Sequence, residues 1–458
     1  MSYDALFARV QDHARTFLAA LPDRPVNART ADPATSDPAV LSGAVPALDV
    51  LDSLAQLVDQ GSMATPGPRY FGFVTGGSYP VAVAADWLVS VWDQNAGLHA
   101  LSPAMARLED VTADWLLELF ALPRQASVGF VTGATMANVT GLAAARHEVL
   151  RRAGWDVEAD GLQGAPKLNV LAGAGAHASI DTAARLLGFG TSNLVRVAAD
   201  GQGRMIPDAL KAALARISGP TIVCLQAGHV NTGAFDPFAP LIDLARARDA
   251  WVHVDGAFGL WARTVEALRP LADGIERADS WGVDAHKWLN VPYDSGIAIV
   301  AHPAAHRASM AQRASYLLRA DGERRDGMDW TPEASRRARA VPIYAVLKAL
   351  GRDGLAALVA GNCERARQMA DCLRPQPGLT ILNDVVLNQV LVRARSRSGE
   401  NITPAVIARV QQAGVCWVGG TTWEKEPAMR ISISNWSTTA EDIDRSAASI
   451  REAASRDS

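Results

Sequence analysis

A lysine and an aspartate, each placed where an apolar run ends, are the residues best suited to chemistry. Lys287 lies in the segment SWGVDAHKWLN, in which bulky apolar residues directly follow it. Lysines prefer the surface, and burial lowers the pKa of a lysine so that its neutral amine can condense with a carbonyl. Asp255 ends the run WVHVDG. Its carboxylate could pair with a protonated ring nitrogen or cap the helix that follows.

Two other segments carry groups that would bind an anion and a planar ring. Thr132, Gly133, Ala134 and Thr135 form a turn before a predicted helix, and the free N–H groups and dipole of a helix start favour an anion. His177 follows another run, in GAGAHASI, where an imidazole can stack on a ring or move protons. Such a turn alone is weak evidence, and a lone histidine is more often structural. An anion cradle, a stacking ring, a carboxylate and an amine together specify pyridoxal phosphate.

The elements that would position these groups alternate between strands and helices from about residue 125. Strands are predicted at 127–132, 167–173, 194–199, 221–227, 251–256, 280–285 and 296–301. Helices are predicted at 136–152, 178–188, 207–217 and 238–249. Alternation of nearly uninterrupted apolar strands with helices is typical of an α/β fold with a mostly parallel, seven-stranded sheet. The strand ends that carry the chemistry would then converge on one crevice.

The segments outside this α/β region predict the domain organisation of the chain. Residues 1–20 predict an amphipathic helix, and the Pro-rich stretch 22–47 predicts an extended arm. A long helix is expected over 332–350, and strands near 380–393 and 428–434 indicate a small α+β domain. We therefore predict an N-terminal segment over 1–65 with dimer contacts, a large cofactor-binding domain over 66–345 and a C-terminal domain over 346–458.

Composition excludes several classes of protein. The 458 residues carry a net charge of −4, from 44 Lys+Arg and 48 Asp+Glu, and 49% are hydrophobic. This balance excludes a disordered chain and argues against nucleic-acid binding. The four cysteines form no CxxC pair, so we expect reduced thiols, a cytoplasmic location and no metal site. No apolar run approaches the roughly 20 residues of a membrane helix, so no membrane partner is expected.

Six motifs together resemble a known family. They are RYFGFVTGGSYPVAVAADWL, SPAMARLED, GFVTGATMAN, AHASI, HVDGAFG and DAHKW. From about Pro68 to about Leu350 the chain resembles the group II pyridoxal-phosphate-dependent amino-acid decarboxylases, which include the aromatic-amino-acid and glutamate decarboxylases. The resemblance implies the aspartate-aminotransferase-like fold (fold type I) and an obligate homodimer with the site at the interface. It also implies decarboxylation of an L-amino acid to the amine and CO₂ through a Schiff base and a quinonoid.

The resemblance also implies a role for each matching residue. Lys287 would form the Schiff base, Asp255 would pair with the pyridinium nitrogen, and His177 would stack on the cofactor. Ala257 would pack under the ring, and Tyr316, on a lid, would protonate the quinonoid carbon. The phosphate would lie near Gly133, Ala134, Thr135, Asp284 and His286, and the substrate near Phe73, Thr75, Asn95 and His99.

The sequence departs from the family pattern in two places. His229 and Val230 stand where the family usually has two threonines, which removes the usual hydroxyl contact unless Asn231 or Thr232 supplies it. The second departure is the pocket stretch DQNAGLHALSP, which is polar where aromatic members carry apolar and aromatic residues. We therefore expect a substrate other than a plain aromatic amino acid.

Alternative functions follow from the same residues. The same scaffold could carry out transamination, aldehyde formation or carbon–sulfur chemistry, because a fold does not determine a reaction. A regulator without activity is a further class. The segment KLNVLAGAGAHA, with Gly173, Gly175 and Ala178, also resembles a dinucleotide fingerprint, and Asp200 could bind a ribose. An NAD-dependent oxidoreductase is therefore the remote alternative.

Overall fold

A computed structural model describes residues 2–30, 43–312 and 324–455. The chain divides into two compact units. The smaller comprises Met1–Gly77, Arg367–Leu382 and Val390–Ser458, and the larger comprises Ser78–Ala366 and Asn383–Gln389. The domain boundaries predicted above stay predictions.

The helices and strands are numbered along the chain. The helices are α1 Tyr3–Ala20, α2 Ala47–Gly61, α3 Pro80–Trp92, α4 Pro103–Leu119, α5 Ala134–Arg152, α6 Val157–Asp160, α7 Ala178–Leu186, α8 Pro207–Leu214, α9 Phe238–Arg246, α10 Pro303–Met310, α11 Ala340–Leu373, α12 Thr403–Ala413 and α13 Ala440–Ser455. The strands are β1 Ser127–Val131, β2 Asn169–Gly173, β3 Leu194–Val197, β4 Thr221–Gln226, β5 Trp251–Asp255, β6 Ser280–Asp284, β7 Gly296–Val300, β8 Leu379–Ile381, β9 Gln389–Ala394, β10 Gly419–Trp423 and β11 Glu426–Ser432. Short 3₁₀ helices occupy Thr191–Asn193, Gly259–Thr264, Glu266–Ala272, Ile275–Arg277 and Gly327–Asp329.

The larger unit is built on a seven-stranded sheet in the order β1-β7-β6-β5-β4-β2-β3. β7 runs antiparallel to both β1 and β6, whereas β6, β5, β4, β2 and β3 pair in parallel. Strands β1, β5, β6 and β7 are buried along their whole length. Their uninterrupted apolar character is typical of strands covered on both faces. The predicted seven-stranded, mostly parallel α/β sheet is confirmed.

The smaller unit contains a four-stranded sheet in the order β10-β11-β9-β8. β10 and β11 form an antiparallel hairpin with Trp423 opposite Glu426. This sheet confirms the small α+β domain predicted for the C-terminal part of the chain. Strand β10 was not predicted. Its sequence, GGTTW, lacks the alternating apolar pattern of a half-buried strand.

The long helix predicted over 332–350 is correct in type but wrong in its start, because α11 begins at Ala340. The reason is Pro342. Proline is tolerated in the first turn of a helix, but it would break a helix that began at residue 332. Gly351, with φ 62° and ψ −172°, interrupts the regular helix again.

The N-terminal prediction is confirmed for α1, whose first turn is capped by Ser2: its hydroxyl accepts a hydrogen bond from Asp4 N at 3.2 Å. Much of the predicted arm over 22–47 lies outside the described residues. None of the described helices is both long enough and apolar enough to span a membrane.

Candidate active site

The lysine and the aspartate singled out above lie beside the carboxyl ends of neighbouring parallel strands. Asp255 is the last residue of β5, and Lys287 follows the end of β6 by three residues. In the register of the two strands, Asp255 lies opposite Gly282. The carboxyl edge of a parallel sheet is where α/β proteins bind ligands. The strand arrangement therefore brings the amine and the carboxylate to the same edge.

Lys287 forms an ion pair with Asp284, the last residue of β6. Lys287 Nζ lies 2.7 Å from Asp284 Oδ2, and the aspartate side chain is only 3% exposed. The other oxygen, Oδ1, accepts a hydrogen bond from Ala134 N at 2.5 Å and lies 3.4 Å from His286 Nε2. Burial lowers the pKa of His286, although the charge of Asp284 partly opposes this. One carboxylate thus connects the lysine, the histidine and the turn at the start of α5.

The turn at residues 133–135 is shaped by two glycines. A Cβ atom on Gly133 would lie 3.2 Å from His286 Cε1 and 3.3 Å from Asp284 Oδ1. A Cβ atom on Gly296, the first residue of β7, would lie 2.4 Å from Gly133 Cα, which no real packing allows. The absence of both side chains lets the turn approach β7 and the end of β6 closely.

Two buried polar atoms beside this turn fit a bound phosphate. Within the ranges that the structure describes, His286 Nδ1 and Ser295 Oγ have no hydrogen-bond partner. The Ser295 carbonyl accepts the Ala285 and His286 N–H groups at 3.1 and 3.3 Å. Buried polar groups are normally paired, so an unpaired one requires an explanation. A phosphate at the α5 N-terminus would accept hydrogen bonds from both side chains and interact favourably with the helix dipole.

Asp255 is held by three hydrogen-bond donors, one each from two helices and from the loop that follows β5. Its Oδ2 accepts from Asn138 Nδ2 and from Ser179 Oγ, both at 3.2 Å, and its Oδ1 accepts from Ala257 N at 3.1 Å. Asn138 belongs to α5 and Ser179 to α7. Donors of this kind compensate the cost of burying a carboxylate and fix its orientation.

His177 is joined to Asp255 through Ser179. It caps the N-terminus of α7, where its Nδ1 accepts the Ser179 N–H at 3.2 Å and lies 2.8 Å from Ser179 Oγ. The imidazole is exposed, which leaves a ring face accessible to a planar ligand. The structure therefore brings His177, Asp255, Ala257, Lys287, Asp284, His286 and the 133–135 turn together around one sheet edge.

The buried turn 229–234 occupies the position of the first departure from the family pattern. Cβ atoms at Gly175 and Gly203 would each lie 2.7 Å from the His229 ring, so both glycines make room for it. The Thr232 hydroxyl donates to Gln202 O at 2.7 Å and accepts from Ala234 N at 3.2 Å. Both contacts stabilise the turn itself.

The four predicted substrate residues fall in both compact units. Phe73 and Thr75 belong to the smaller unit, where Phe73 is 65% exposed and stacks on Trp417 at 5.5 Å between centroids. In the larger unit, Asn95 Oδ1 accepts from Gly97 N and Arg336 N at 3.0 and 3.1 Å, and His99 N donates to Asp326 Oδ1 at 2.9 Å. Tyr316 lies outside the described residues.

Sequence reasoning missed the residues behind Asp255, namely Asn138, Ser179, His253 and Ser280. A signal was present for Asn138, which lies four residues after Ala134 and thus on the same face of α5 as the turn residue. No comparable signal identifies His253, which precedes Asp255 by two residues and looks like an ordinary strand residue.

The comparisons with known proteins agree with this geometry. The model of the pyridoxal-dependent decarboxylase conserved domain matches residues 34–395. The chain belongs to the pyridoxal-dependent decarboxylase family. It is 31% identical over 383 residues to an L-2,4-diaminobutyrate decarboxylase of Rhizobium meliloti (strain 1021), covering 80% of this chain and 74% of the relative. An aromatic-L-amino-acid decarboxylase of Bacillus atrophaeus is 27% identical, over 82% of this chain and 79% of the relative.

Solved structures of this family have the same fold. The crystal structure of Oryza sativa TDC with PLP and tryptamine superposes with a TM-score of 0.90 at 22% identity, covering 100% of this chain and 99% of that one. The decarboxylase is therefore a carboxy-lyase of fold type I that uses pyridoxal 5'-phosphate and acts on an amino acid. The oxidoreductase reading of the 173–178 segment is set aside, since that segment falls within the matched domain.

Proposed function

We propose that this decarboxylase converts an L-amino acid into the amine and CO₂ with Lys287, Asp255 and the 133–135 turn holding the cofactor. The single observation that carries the proposal is that Asp284, at the end of β6, contacts both Lys287 Nζ and Ala134 N, next to the end of β5 where Asp255 lies. Bound pyridoxal phosphate supplies an electron sink for the bond to the departing carboxylate.

Each residue has a distinct task. Asp284 Oδ2, 2.7 Å from Lys287 Nζ, would take up the proton that the amine must lose before it can bond the cofactor aldehyde. Asp255 would pair with the ring nitrogen and keep it protonated. His177 supports the ring from one face, with its Nδ1 held by Ser179. Ser295 and His286 would donate to the phosphate.

We propose a substrate with a polar, non-aromatic side chain. The stretch before SPA carries Asp93, Gln94, Asn95 and His99, and Asp93 is exposed. A relative with 31% identity is named for L-2,4-diaminobutyrate. The test is a product screen of the cofactor-loaded enzyme with diaminobutyrate, acidic and aromatic L-amino acids, read by mass spectrometry. An amine from a polar substrate supports the proposal, whereas an amine from aromatic substrates alone contradicts the substrate class.

The role predicted for Tyr316 is tested by the same screen. A Tyr316→Phe variant is expected to lose amine and gain aldehyde, because the family places a proton donor at this position. Tyr3→Phe is the matched control, as it removes a hydroxyl from an exposed tyrosine of α1. An unchanged amine yield in Tyr316→Phe would remove the assigned role.

We further propose that the enzyme works as a homodimer with its site at the interface. Large apolar side chains are exposed on one face of α3, at Trp87, Leu88, Val91 and Trp92. Contiguous exposed apolar surface commonly marks an interface. Sedimentation velocity of wild type and Val91→Glu tests this, with Ala212→Glu, at an exposed position of α8, as the control for one added negative charge. A monomeric wild-type enzyme would exclude the dimer.

The cytoplasmic location stays a prediction.

A further inference from the structure

A chain of four hydrogen bonds leads from the core of the sheet to Asp255. Trp251 Nε1 donates to Ser280 Oγ at 2.9 Å, and Ser280 Oγ lies 2.8 Å from His253 Nδ1. His253 Nε2 lies 3.0 Å from Asn138 Oδ1, and Asn138 Nδ2 donates to Asp255 Oδ2 at 3.2 Å. Asn138, His253 and Ser280 are completely buried.

The direction of every bond in the chain is fixed by its two ends. A buried carboxylate that accepts several hydrogen bonds requires the NH₂ side of the Asn138 amide to face Asp255. The Asn138 oxygen therefore faces His253 Nε2, which must carry the proton. His253 Nδ1 is then the acceptor for the Ser280 hydroxyl. Burial lowers the pKa of His253 to about 4, so the imidazole is neutral near pH 7.

Two glycines make room for this chain. A Cβ atom on Gly282 would lie 2.4 Å from Asn138 Oδ1, and a Cβ atom on Gly141 would lie 2.8 Å from His253 Nδ1. Gly282 is an interior residue of β6 and Gly141 an interior residue of α5, positions at which glycine costs conformational entropy. The glycines thus let the two side chains lie in the layer between α5 and the sheet.

Asn138 is the branch point between the two groups that would contact the cofactor ring. Its Nδ2 also donates to Ser179 Oγ at 3.1 Å, and Ser179 Oγ lies 2.8 Å from His177 Nδ1 and 3.2 Å from Asp255 Oδ2. One amide group therefore contacts the Asp255 carboxylate directly and the His177 ring through a single hydroxyl.

We propose that Asn138 and His253 are positioning residues for the reaction. His253 fixes the orientation of the Asn138 amide, and Asn138 holds the Asp255 carboxylate so that it faces the ring nitrogen of the cofactor and keeps that nitrogen protonated. The proposal rests on the role proposed above for Asp255. It adds that this role depends on a neutral hydrogen-bond chain that never touches the cofactor.

The experiment uses the cofactor-loaded enzyme reconstituted with pyridoxal phosphate labelled at the ring nitrogen. Nuclear magnetic resonance then reports the protonation of that nitrogen directly, independently of turnover. The variants are Asn138→Leu and His253→Leu, which remove the hydrogen bonds at similar volume. His253→Gln is the conservative control, because a glutamine amide can still donate to Asn138 Oδ1.

The nitrogen signal of Asn138→Leu is expected to shift to the deprotonated form near neutral pH. Its kcat is expected to fall about ten-fold to a hundred-fold, as for loss of a hydrogen bond to a charged group, with little change in KM. His253→Leu is expected to show the same shift to a smaller degree, and His253→Gln is expected to restore the wild-type signal.

A folded Asn138→Leu enzyme with a protonated ring nitrogen and wild-type kcat would overturn the proposal. If that variant does not fold, Asn138→Ser replaces it, because serine is smaller and cannot reach Asp255; an unchanged nitrogen signal again overturns the proposal. Asp255→Asn distinguishes a failure of this inference from a failure of the role proposed for Asp255. If only the Asn138 variants leave the nitrogen protonated, this inference fails alone, whereas a protonated nitrogen in Asp255→Asn removes the role of Asp255 itself.

Discussion

The two ends of the candidate cofactor site differ in how completely their polar groups are paired. At the ring-nitrogen end, both oxygens of Asp255 accept hydrogen bonds from Asn138, Ser179 and Ala257. At the phosphate end, His286 Nδ1 and Ser295 Oγ are buried and, among the described residues, unpaired. The first end is preorganised by the protein alone. The second end gains its full set of hydrogen bonds only with an anion, so we expect cofactor binding to stabilise this end in particular.

The largest effect is expected from Lys287→Ala, which removes the amine that would bond the cofactor. Without the amine no covalent bond to the cofactor forms, so visible absorbance of the bound cofactor and amine formation should both fall, the latter by about 10³-fold or more. Absorbance spectra and product assays measure the two losses. Lys211→Ala, an exposed lysine of α8, is the control. Retention of activity in Lys287→Ala would contradict the assigned site.

The neutral state of His253 at the ring-nitrogen end predicts a pH dependence of folding stability. Burial lowers its pKa from the ordinary 6.5 of an imidazole to about 4 in the folded protein. A lowered pKa means that the unfolded chain binds the proton more tightly, so stability is complete above about pH 6.5 and is lost as the pH falls towards 4. The loss amounts to about 3 kcal/mol in the free energy of unfolding.

Urea unfolding of the cofactor-free protein between these pH values measures that loss. His253→Gln keeps a donor for Asn138 but does not titrate, so its free energy of unfolding should change less with pH than that of wild type. Other buried histidines contribute equally to both proteins and cancel in the comparison. Parallel pH curves for the two proteins would mean that His253 is not held neutral.

At the phosphate end, Asp284→Asn is expected to tighten binding of pyridoxamine phosphate by up to about ten-fold. This ligand has no aldehyde, so the proton transfer assigned to Asp284 does not affect its binding. The Asp284 carboxylate lies beside the same turn that would hold the phosphate, and like charges a few ångströms apart repel. Equilibrium dialysis gives the dissociation constant, and its dependence on salt should weaken in the variant. Weaker binding instead would show that the ion pair with Lys287 matters more than the repulsion.

The smallest effect is expected from Ser295→Ala. This change should stabilise the cofactor-free protein but weaken cofactor binding. Removing an unpaired buried hydroxyl should stabilise the cofactor-free protein by about 1 kcal/mol. The same change removes a phosphate donor, so cofactor affinity should fall about five-fold. Thermal unfolding with and without cofactor measures both. Destabilisation of the cofactor-free protein would mean that the hydroxyl has a partner already.

Prediction from the sequence worked where chain-local patterns carry the information. The seven apolar strands are recognisable one by one, and the rule that parallel strands end at one edge places Asp255 and Lys287 together. The pairing of Asn138 with Asp255 spans 117 residues. No local pattern states which side chain of α5 lies behind β5. Ser295 could not be predicted from local sequence either, because its hydroxyl indicates a phosphate site only through the absence of a partner in its folded surroundings.

The close contact between Gly296 and Gly133 also determines when the protein can first capture its cofactor. The turn at 133–135 packs against the first residue of β7, which is made long after the turn itself. Contacts between residues so far apart in sequence form late in folding, because a long loop must close first. During synthesis, a nascent chain that ends before residue 296 has the turn but not its support. We therefore expect pyridoxal phosphate to be loaded only after most of the larger unit has left the ribosome.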